Sequence, residues 1–265
     1  MHMNEIETLQ KEVQELKACI GQLQAANPLW GKKYVSCGDS FTSGNFEGES
    51  GENGPYDEKD PAIYDEQWQM NKTYPWWIAR RNQMILINEA KGGSTMALTR
   101  GYLDGQEGKD ITWRRPFSYQ RYLQVPEDAD YCTLWFGIND SVNTYLGTID
   151  DTDNRTFYGA WNVVLEWLIT NRPYTKLGII VTNEADAAYR TAVRECALKW
   201  GVPYLDLMND DRIPVMFERD EALGMCDKAK QLRRKQFIVT EDNQHPNLAA
   251  HKLFSYVIEE FLRHL

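Results

Sequence analysis

The chain has 265 residues, of which 42% are hydrophobic and 26% charged, and this composition predicts a folded globular protein rather than a disordered chain. Its formal net charge of −10 argues against nucleic acid as a partner, because phosphate binding requires clustered positive charge. No apolar run reaches the roughly 18 residues of a membrane span, and the polar N-terminal segment lacks the apolar core of a secretory signal. We therefore expect a soluble protein, with cytoplasmic and virion-associated locations both left open.

The first segment of the chain carries a heptad repeat. Apolar residues recur there at alternating intervals of three and four, as in the a and d positions of a coiled coil: Ile6, Leu9, Val13, Leu16, Ile20 and Leu23. β-Branched residues at a with leucine at d favour two parallel strands, and Glu12 at g can pair with Lys17 at e of a neighbouring chain. We predict a coiled-coil helix over residues 1–27 and self-association through residues 4–24, as a dimer or a trimer. The alternative is an amphipathic helix that packs onto its own domain.

Residues 28–265 alternate short apolar runs with helical patterns, which predicts a single α/β domain. The predicted strands are 33–37, 84–88, 131–136, 177–182 and 203–207. The predicted helices are 74–82, 157–171, 185–200 and 247–265. This alternation is typical of βαβ units, so we expect a parallel sheet with helices on both faces and functional loops at the carboxyl ends of the strands.

Residues 44–72 show no clear period and are predicted to form a long surface insertion rich in glycine, acidic and aromatic residues. The carboxylates of the insertion do not follow the D-x-D-x-D-G spacing of a calcium loop, and they are typical of a solvated surface. The cysteines are scattered without a zinc-like grouping, so we expect reduced thiols: Cys19, Cys37, Cys132, Cys196 and Cys226. No metal site and no cofactor is predicted.

The two ends of the α/β domain carry a nucleophile and a base. Ser40 follows the first predicted strand in the sequence Gly-Asp-Ser-Phe-Thr-Ser-Gly, where its hydroxyl can face a cleft. A serine hydroxyl is a weak nucleophile until a base takes its proton, and histidine titrates in the useful range. His245 lies in an Asp-x-x-His-Pro motif, in which Asp242 can orient the imidazole. Either motif alone is also typical of a turn or of the start of a helix.

Two further strand ends offer hydrogen-bond donors for a developing oxyanion. Asn139 follows the third predicted strand in the sequence Gly-Ile-Asn-Asp, and its side-chain amide can donate to an oxyanion. The glycine pair Gly92 and Gly93 follows the second strand and allows close approach of the backbone to a ligand. A nucleophile, two donors and a base in this order predict acyl transfer through an acyl-serine intermediate.

In their order and spacing these segments resemble the four blocks of the SGNH (GDSL-like) hydrolase family, over about residues 33–262. The resemblance implies that Ser40 is the nucleophile, that His245 is its base and that Asp242 is the orienting carboxylate. It also implies an oxyanion hole made by the backbone N–H groups of Ser40 and Gly93 and the side chain of Asn139. Because Gly92 adjoins Gly93, the glycine assignment can shift by one residue.

The resemblance also implies a three-layer α/β/α, flavodoxin-like fold with a parallel sheet of about five strands, and hydrolysis of acyl esters without a metal. Ala90 and Ala250 replace frequent glycines of the family, but neither change removes a catalytic group. We expect a small ester or an acetylated carbohydrate as substrate.

The competing hypothesis is a non-catalytic carbohydrate-binding or phage tail adhesin module on the same scaffold. It is favoured by aromatic residues in and around the insertion, which can either stack on sugars or simply pack: Tyr56, Tyr64, Trp68 and Tyr74.

Overall fold

The computed structural model describes residues 2–44, 72–105, 116–181, 185–207, 210, 212–213, 232 and 235–265. Most of the predicted insertion therefore lies outside the described residues. The strands are β1 (Lys33–Gly38), β2 (Ile85–Asn88), β3 (Tyr131–Trp135), β4 (Lys176–Val181) and β5 (Tyr204–Asp206). The helices are α1 (His2–Ala25), α2 (Ser40–Ser43), α3 (Tyr74–Asn82), α4 (Arg100–Leu103), α5 (Ile138–Asn143), α6 (Phe157–Asn171), α7 (Ala187–Trp200) and α8 (Leu248–Arg263).

The strands form one parallel sheet in the order β2-β1-β3-β4-β5. In the register of its centre, Val35 of β1 lies between Ile87 of β2 and Cys132 of β3. This order confirms the flavodoxin-like sheet that the sequence predicted. It also brings the carboxyl ends of β1, β2 and β3 side by side, and these are the strands that precede the predicted site residues.

Each face of the sheet is covered by its own pair of helices. Successive residues of a strand point to opposite faces, so Val35 and Cys37 pack in the cluster with α6 and α7, whereas Tyr34 packs in the cluster with α3 and α8. A strand buried on both faces is apolar along most of its length, which explains the near-continuous apolar runs in the sequence. The three-layer α/β/α architecture is confirmed.

The predicted boundaries agree with the structure to within about two residues. Helices α3 and α6 cover the predicted ranges, and α8 begins where the Asn247 side chain accepts a hydrogen bond from Ala250 N at 3.0 Å. The short helices α2, α4 and α5 were not predicted, and neither was the 3-10 helix Arg121–Gln124. They are too short to show a periodic pattern.

Helix α1 exposes the apolar residues of its heptads. Five of them are 47% to 62% exposed: Ile6, Leu9, Val13, Leu16 and Ile20. The helix therefore does not pack this face onto its own domain, although Asn27, just after it, accepts a hydrogen bond from Arg263 Nη1 at 2.7 Å. Neither α1 nor any other helix in the described ranges is long and apolar enough to cross a membrane.

The described cysteines are all free thiols. Cys37, Cys132 and Cys196 are buried, whereas Cys19 on α1 is exposed. The expectation of reduced cysteines holds for these four, and Cys226 lies outside the described residues.

Candidate active site

The nucleophile turn joins β1 directly to α2. Asp39 caps this short helix, and its side chain accepts a hydrogen bond from Phe41 N at 2.9 Å. Ser40, the first residue of α2, is 7% exposed. A Cβ atom on Gly38 would lie 2.1 Å from Thr42 Oγ1, so only glycine fits at that position. The turn therefore holds the Ser40 hydroxyl at the carboxyl end of a central strand.

The structure brings His245 into hydrogen-bond contact with this serine. Its Nε2 lies 2.8 Å from Ser40 Oγ, and its Nδ1 lies 2.7 Å from Asn243 Oδ1. An amide oxygen only accepts, so this contact places the proton on Nδ1 and leaves the Nε2 lone pair for the Ser40 hydroxyl. The ring of Phe41 packs edge-on against the imidazole, with centroids 5.6 Å apart. Burial lowers the pKa of His245, which favours the neutral base.

The orienting contact differs from the expected one, because Asn243 rather than Asp242 contacts Nδ1 of His245. The loop turns tightly here: Thr240 N donates to Asn243 O at 3.0 Å, and Asn243 N donates to Thr240 Oγ1 at 2.9 Å. This turn leaves Asp242 exposed at its tip. The neighbouring Glu241 is also exposed and forms an ion pair with Lys235 at 2.5 Å.

Sequence reasoning missed Asn243, although a local signal was present. The side-chain oxygen of an asparagine often accepts a hydrogen bond from the backbone N–H two residues further along the chain. Asn243 Oδ1 accepts such a bond from His245 N at 3.3 Å. The same oxygen is then within reach of the imidazole.

The predicted oxyanion donors lie on the segments that follow β2 and β3. A methyl group on Gly92 would lie 3.8 Å from Ser40 Cβ, so Gly92 lies against the nucleophile. Gly93 adopts a left-handed φ of 70°, which turns the backbone sharply at this point. The Asn139 side chain donates to Ser94 O at 3.1 Å, and it partly opposes the rise that burial causes in the pKa of Asp39.

Three solved structures that resemble this chain support one fold. A protein from Lactobacillus plantarum is 24% identical, with a TM-score of 0.59 over 88% of this chain and 97% of its own. A Bacteroides uniformis protein provisionally named a GDSL-like lipase is 18% identical, with a TM-score of 0.56 over 89% of this chain and 97% of its own. A Bacteroides ovatus protein with the same provisional name is 16% identical, with a TM-score of 0.56 over 89% of this chain and 100% of its own.

The chain has an SGNH/GDSL hydrolase fold. No protein-family model matches the sequence, and no curated protein matches it either. The likeness to known proteins is therefore one of fold, and the chemistry depends on the residues of the site.

Two buried carboxyl groups, those of Asp39 and Asp140, lie on the segments around Ser40 in this fold. Burial raises the pKa of both Asp39 and Asp140 to about 7, although backbone N–H groups donate to each and oppose the shift. Asp140 accepts from Met96 N at 2.9 Å and from Ala97 N at 3.0 Å. It thereby ties the helix that carries Asn139 to the segment that follows the glycine pair.

His251 and Tyr74, one of the aromatic residues considered for sugar binding, are core residues of the α/β domain. His251 is fully buried, and its Nδ1 accepts a hydrogen bond from Tyr74 N at 3.2 Å. Tyr74 is also fully buried, with its ring 5.4 Å from that of Trp135, so it cannot stack on a sugar. The other aromatic residues proposed for sugar binding lie outside the described residues: Tyr56, Tyr64 and Trp68.

Proposed function

We propose that this protein is a serine ester hydrolase that works through an acyl-serine intermediate. The observation that carries the proposal is the 2.8 Å contact between Ser40 Oγ and His245 Nε2, with Nδ1 of the same ring held by Asn243. A serine, a neutral histidine and an acceptor for the second ring nitrogen form the arrangement that activates a hydroxyl nucleophile.

In the first half-reaction Ser40 Oγ attacks the ester carbonyl carbon while His245 Nε2 takes the hydroxyl proton. The carbonyl oxygen becomes an oxyanion, for which the backbone N–H of Ser40, the N–H of Gly93 and the amide of Asn139 are the proposed donors. The intermediate then collapses. The C–O bond to the alcohol breaks, and the alcohol leaves with the proton from His245.

The second half-reaction repeats these steps with water. His245 Nε2 accepts a proton from the water as its oxygen attacks the acyl carbon, and the same donors hold the second oxyanion. When the bond to Ser40 breaks, the proton returns to Oγ and a carboxylic acid is released. No redox change and no metal is needed, because the Ser–His pair supplies both nucleophile and base.

For the substrate we propose short acyl esters, with O-acetyl groups on carbohydrate as the natural class. At the rim of the site, beside Ser40, Lys91 and Gly92 are exposed and the Asn139 amide is half-buried. This rim favours the proposed substrate class. A polar rim suits a hydroxyl-rich alcohol better than a long alkyl chain, which needs apolar surface to be desolvated.

The test is hydrolysis of p-nitrophenyl acetate, butyrate and octanoate, together with acetate release from an O-acetylated polysaccharide. We expect kcat/KM to be highest for the acetate and to fall with chain length, with Ser40→Ala as the inactive control. Fastest turnover of the octanoate would contradict the substrate class alone. Polysaccharide binding without any turnover would instead favour the carbohydrate-binding module.

We further propose that copies of the chain associate in parallel through α1. The exposed apolar stripe supports this, because each fully buried leucine or isoleucine side chain contributes about 1.5–3 kcal/mol. Parallel pairing also brings Glu12 at g next to Lys17 at e of the second copy, which matches opposite charges. A dimer fits the residue choice at a and d best, with a trimer as the second outcome.

Light scattering of the intact chain and of a chain that starts at Asn27 tests the association. The intact chain should have two or three times the monomer mass of 30.8 kDa, whereas the shortened chain should dissociate and keep its esterase activity. Leu16→Lys at a d position should weaken the assembly, and Gln14→Lys at the outer b position should not. A monomeric intact chain at micromolar concentration would contradict the proposal.

A further inference from the structure

Arg121 is a buried arginine close to the glycine pair. It begins the 3-10 helix Arg121–Gln124 and is 3% exposed, with its guanidinium 5.4 Å from the ring centroid of Phe117. Burial lowers the pKa of the guanidinium, but arginine stays protonated in proteins. A buried charge is costly unless its N–H groups find acceptors, so the position of these acceptors indicates what the residue holds in place.

The guanidinium bridges the two ends of the loop that carries the glycine pair. Nη1 donates to Ser94 Oγ at 2.5 Å, and Nη2 donates to the carbonyl oxygen of Glu89. Gly92 and Gly93 lie between these two residues in the chain. Because the guanidinium is planar and rigid, its two donors fix the distance between the two acceptors, which a single-headed lysine cannot do.

The same loop end also holds Asn139, another proposed oxyanion donor. Ser94 accepts from Arg121 through its hydroxyl and from the Asn139 side chain through its carbonyl oxygen, at 3.1 Å. The segment that leads to Arg121 is in turn fixed to the loop by the hydrogen bond from Phe117 N to Thr95 O at 2.8 Å. A shift of Ser94 would therefore move Asn139 together with the glycine pair.

We infer that Arg121 is a positioning residue that holds the oxyanion hole in its productive geometry. It does so through Ser94 and Glu89 and does not itself touch the substrate. This inference rests on the proposed ester hydrolysis, since it assigns the geometry of that reaction's donors. Oxyanion donors act only if they are preorganised, and a displacement of about 1 Å can lower the rate about 100-fold.

The experiment measures kcat and KM for p-nitrophenyl acetate, and thermal melting, in the wild type, Arg121→Met, Arg121→Lys and Ser94→Ala. Arg172→Met is the matched control, because Arg172 also donates to a backbone carbonyl, that of Val125 at 2.6 Å, and lies 4.6 Å from the ring centroid of Trp167. The contacts of Arg172 are with Val125, Asn171 and Trp167, so this variant measures the cost of removing such an arginine from the fold alone.

We expect Arg121→Met to lower kcat by about 30- to 100-fold with KM within about threefold of wild type. Arg121→Lys should lower kcat by an intermediate factor. Ser94→Ala should lower kcat by about 5- to 10-fold and lower the melting temperature less than Arg121→Met does, because only one N–H group of the guanidinium loses its acceptor. Arg172→Met should lower the melting temperature and leave kcat within about twofold. The acid limb of the pH profile should be unchanged in every variant, because the base is not affected.

A folded Arg121→Met enzyme with wild-type kcat overturns the inference, and so does an equal loss of kcat in Arg172→Met. If Arg121→Met does not fold, Ser94→Ala decides, because it removes one acceptor and no buried charge. An unchanged kcat in that variant then overturns the inference. Failure of the proposed function looks different: the wild type itself would neither hydrolyse the ester nor be labelled on Ser40 by a fluorophosphonate.

Discussion

The nucleophile side and the histidine side of the site are built differently. Ser40, Asp39 and Asp140 are buried, and the segments around them are joined across strand ends, for example by Lys91 N donating to Gly38 O at 3.0 Å. The histidine loop instead contains hydrogen-bonded turns of its own, such as the one in which Val239 N donates to His245 O at 3.0 Å. The sheet thus preorganises the proposed nucleophile and the proposed oxyanion donors, whereas a local loop presents the proposed base.

The largest expected effect comes from removing the nucleophile itself. Ser40→Ala should lower kcat by about 10⁴-fold or more, because neither the base nor the oxyanion donors can replace the missing oxygen. Its melting temperature should stay near that of wild type, since the rest of the turn is unchanged. Ser43→Ala, three residues further along α2, is the control and should remain active. Full activity of Ser40→Ala would rule out the acyl-serine mechanism.

Loss of the base should have the next largest effect. His245→Ala should lower kcat at least several hundredfold, while the exposed His264→Ala should have no effect. Only the neutral imidazole accepts the serine proton, so activity falls as the pH drops through the pKa of His245. Burial lowers that pKa, so the acid limb of kcat/KM should lie below the ordinary histidine value of about 6.5. An acid limb above that value would mean that a negative charge acts on the ring.

Removing the side-chain donor on the nucleophile side should have a somewhat smaller effect. Asn139→Ala should lower kcat by about 10²- to 10³-fold, or about 2.7–4 kcal/mol of transition-state stabilisation, with a smaller change in KM. Asn171→Ala, at the exposed end of α6, removes an amide that donates to Trp167 O and serves as the control. A change in KM alone would show that Asn139 binds the ground state and not the developing oxyanion.

The smallest effects are expected from the residues that orient the imidazole, and they distinguish the two candidates for that role. Asn243→Ala should lower kcat about tenfold, because the imidazole loses the acceptor that fixes its tautomer, whereas Asp242→Asn should stay within about twofold. Asn243→Asp should raise the pKa of His245 and move the acid limb to higher pH, since a carboxylate stabilises the imidazolium. A larger loss in Asp242→Asn than in Asn243→Ala would show that Asp242 orients the base during catalysis.

The fold and the pairing of Ser40 with His245 could be predicted from the sequence because their signals are local in the chain. Apolar runs such as the one around Val35 indicate a strand that is buried on both faces. The motifs that contain Ser40 and His245 can each be recognised from a few neighbouring residues, near the start and near the end of the domain's sequence. Hydrogen-bond partners are not encoded in this way. Asn243 was missed because a turn decides which of two neighbouring residues faces inward. Arg121 was missed because its acceptors lie about 30 residues earlier in the chain.

The close approach of Gly38 and Thr42 has a consequence for how the sequence can diverge. The space that a side chain at position 38 would need is filled by the Thr42 side chain and, at 3.1 Å, by the carbonyl oxygen of Trp135. Related sequences are thus expected to vary at these two positions as a pair, with alanine at 38 only where glycine stands at 42. Single changes at position 38 should be rare in a library selected for folding. Deep mutational scanning of the two positions together would reveal this coupling without any knowledge of the substrate.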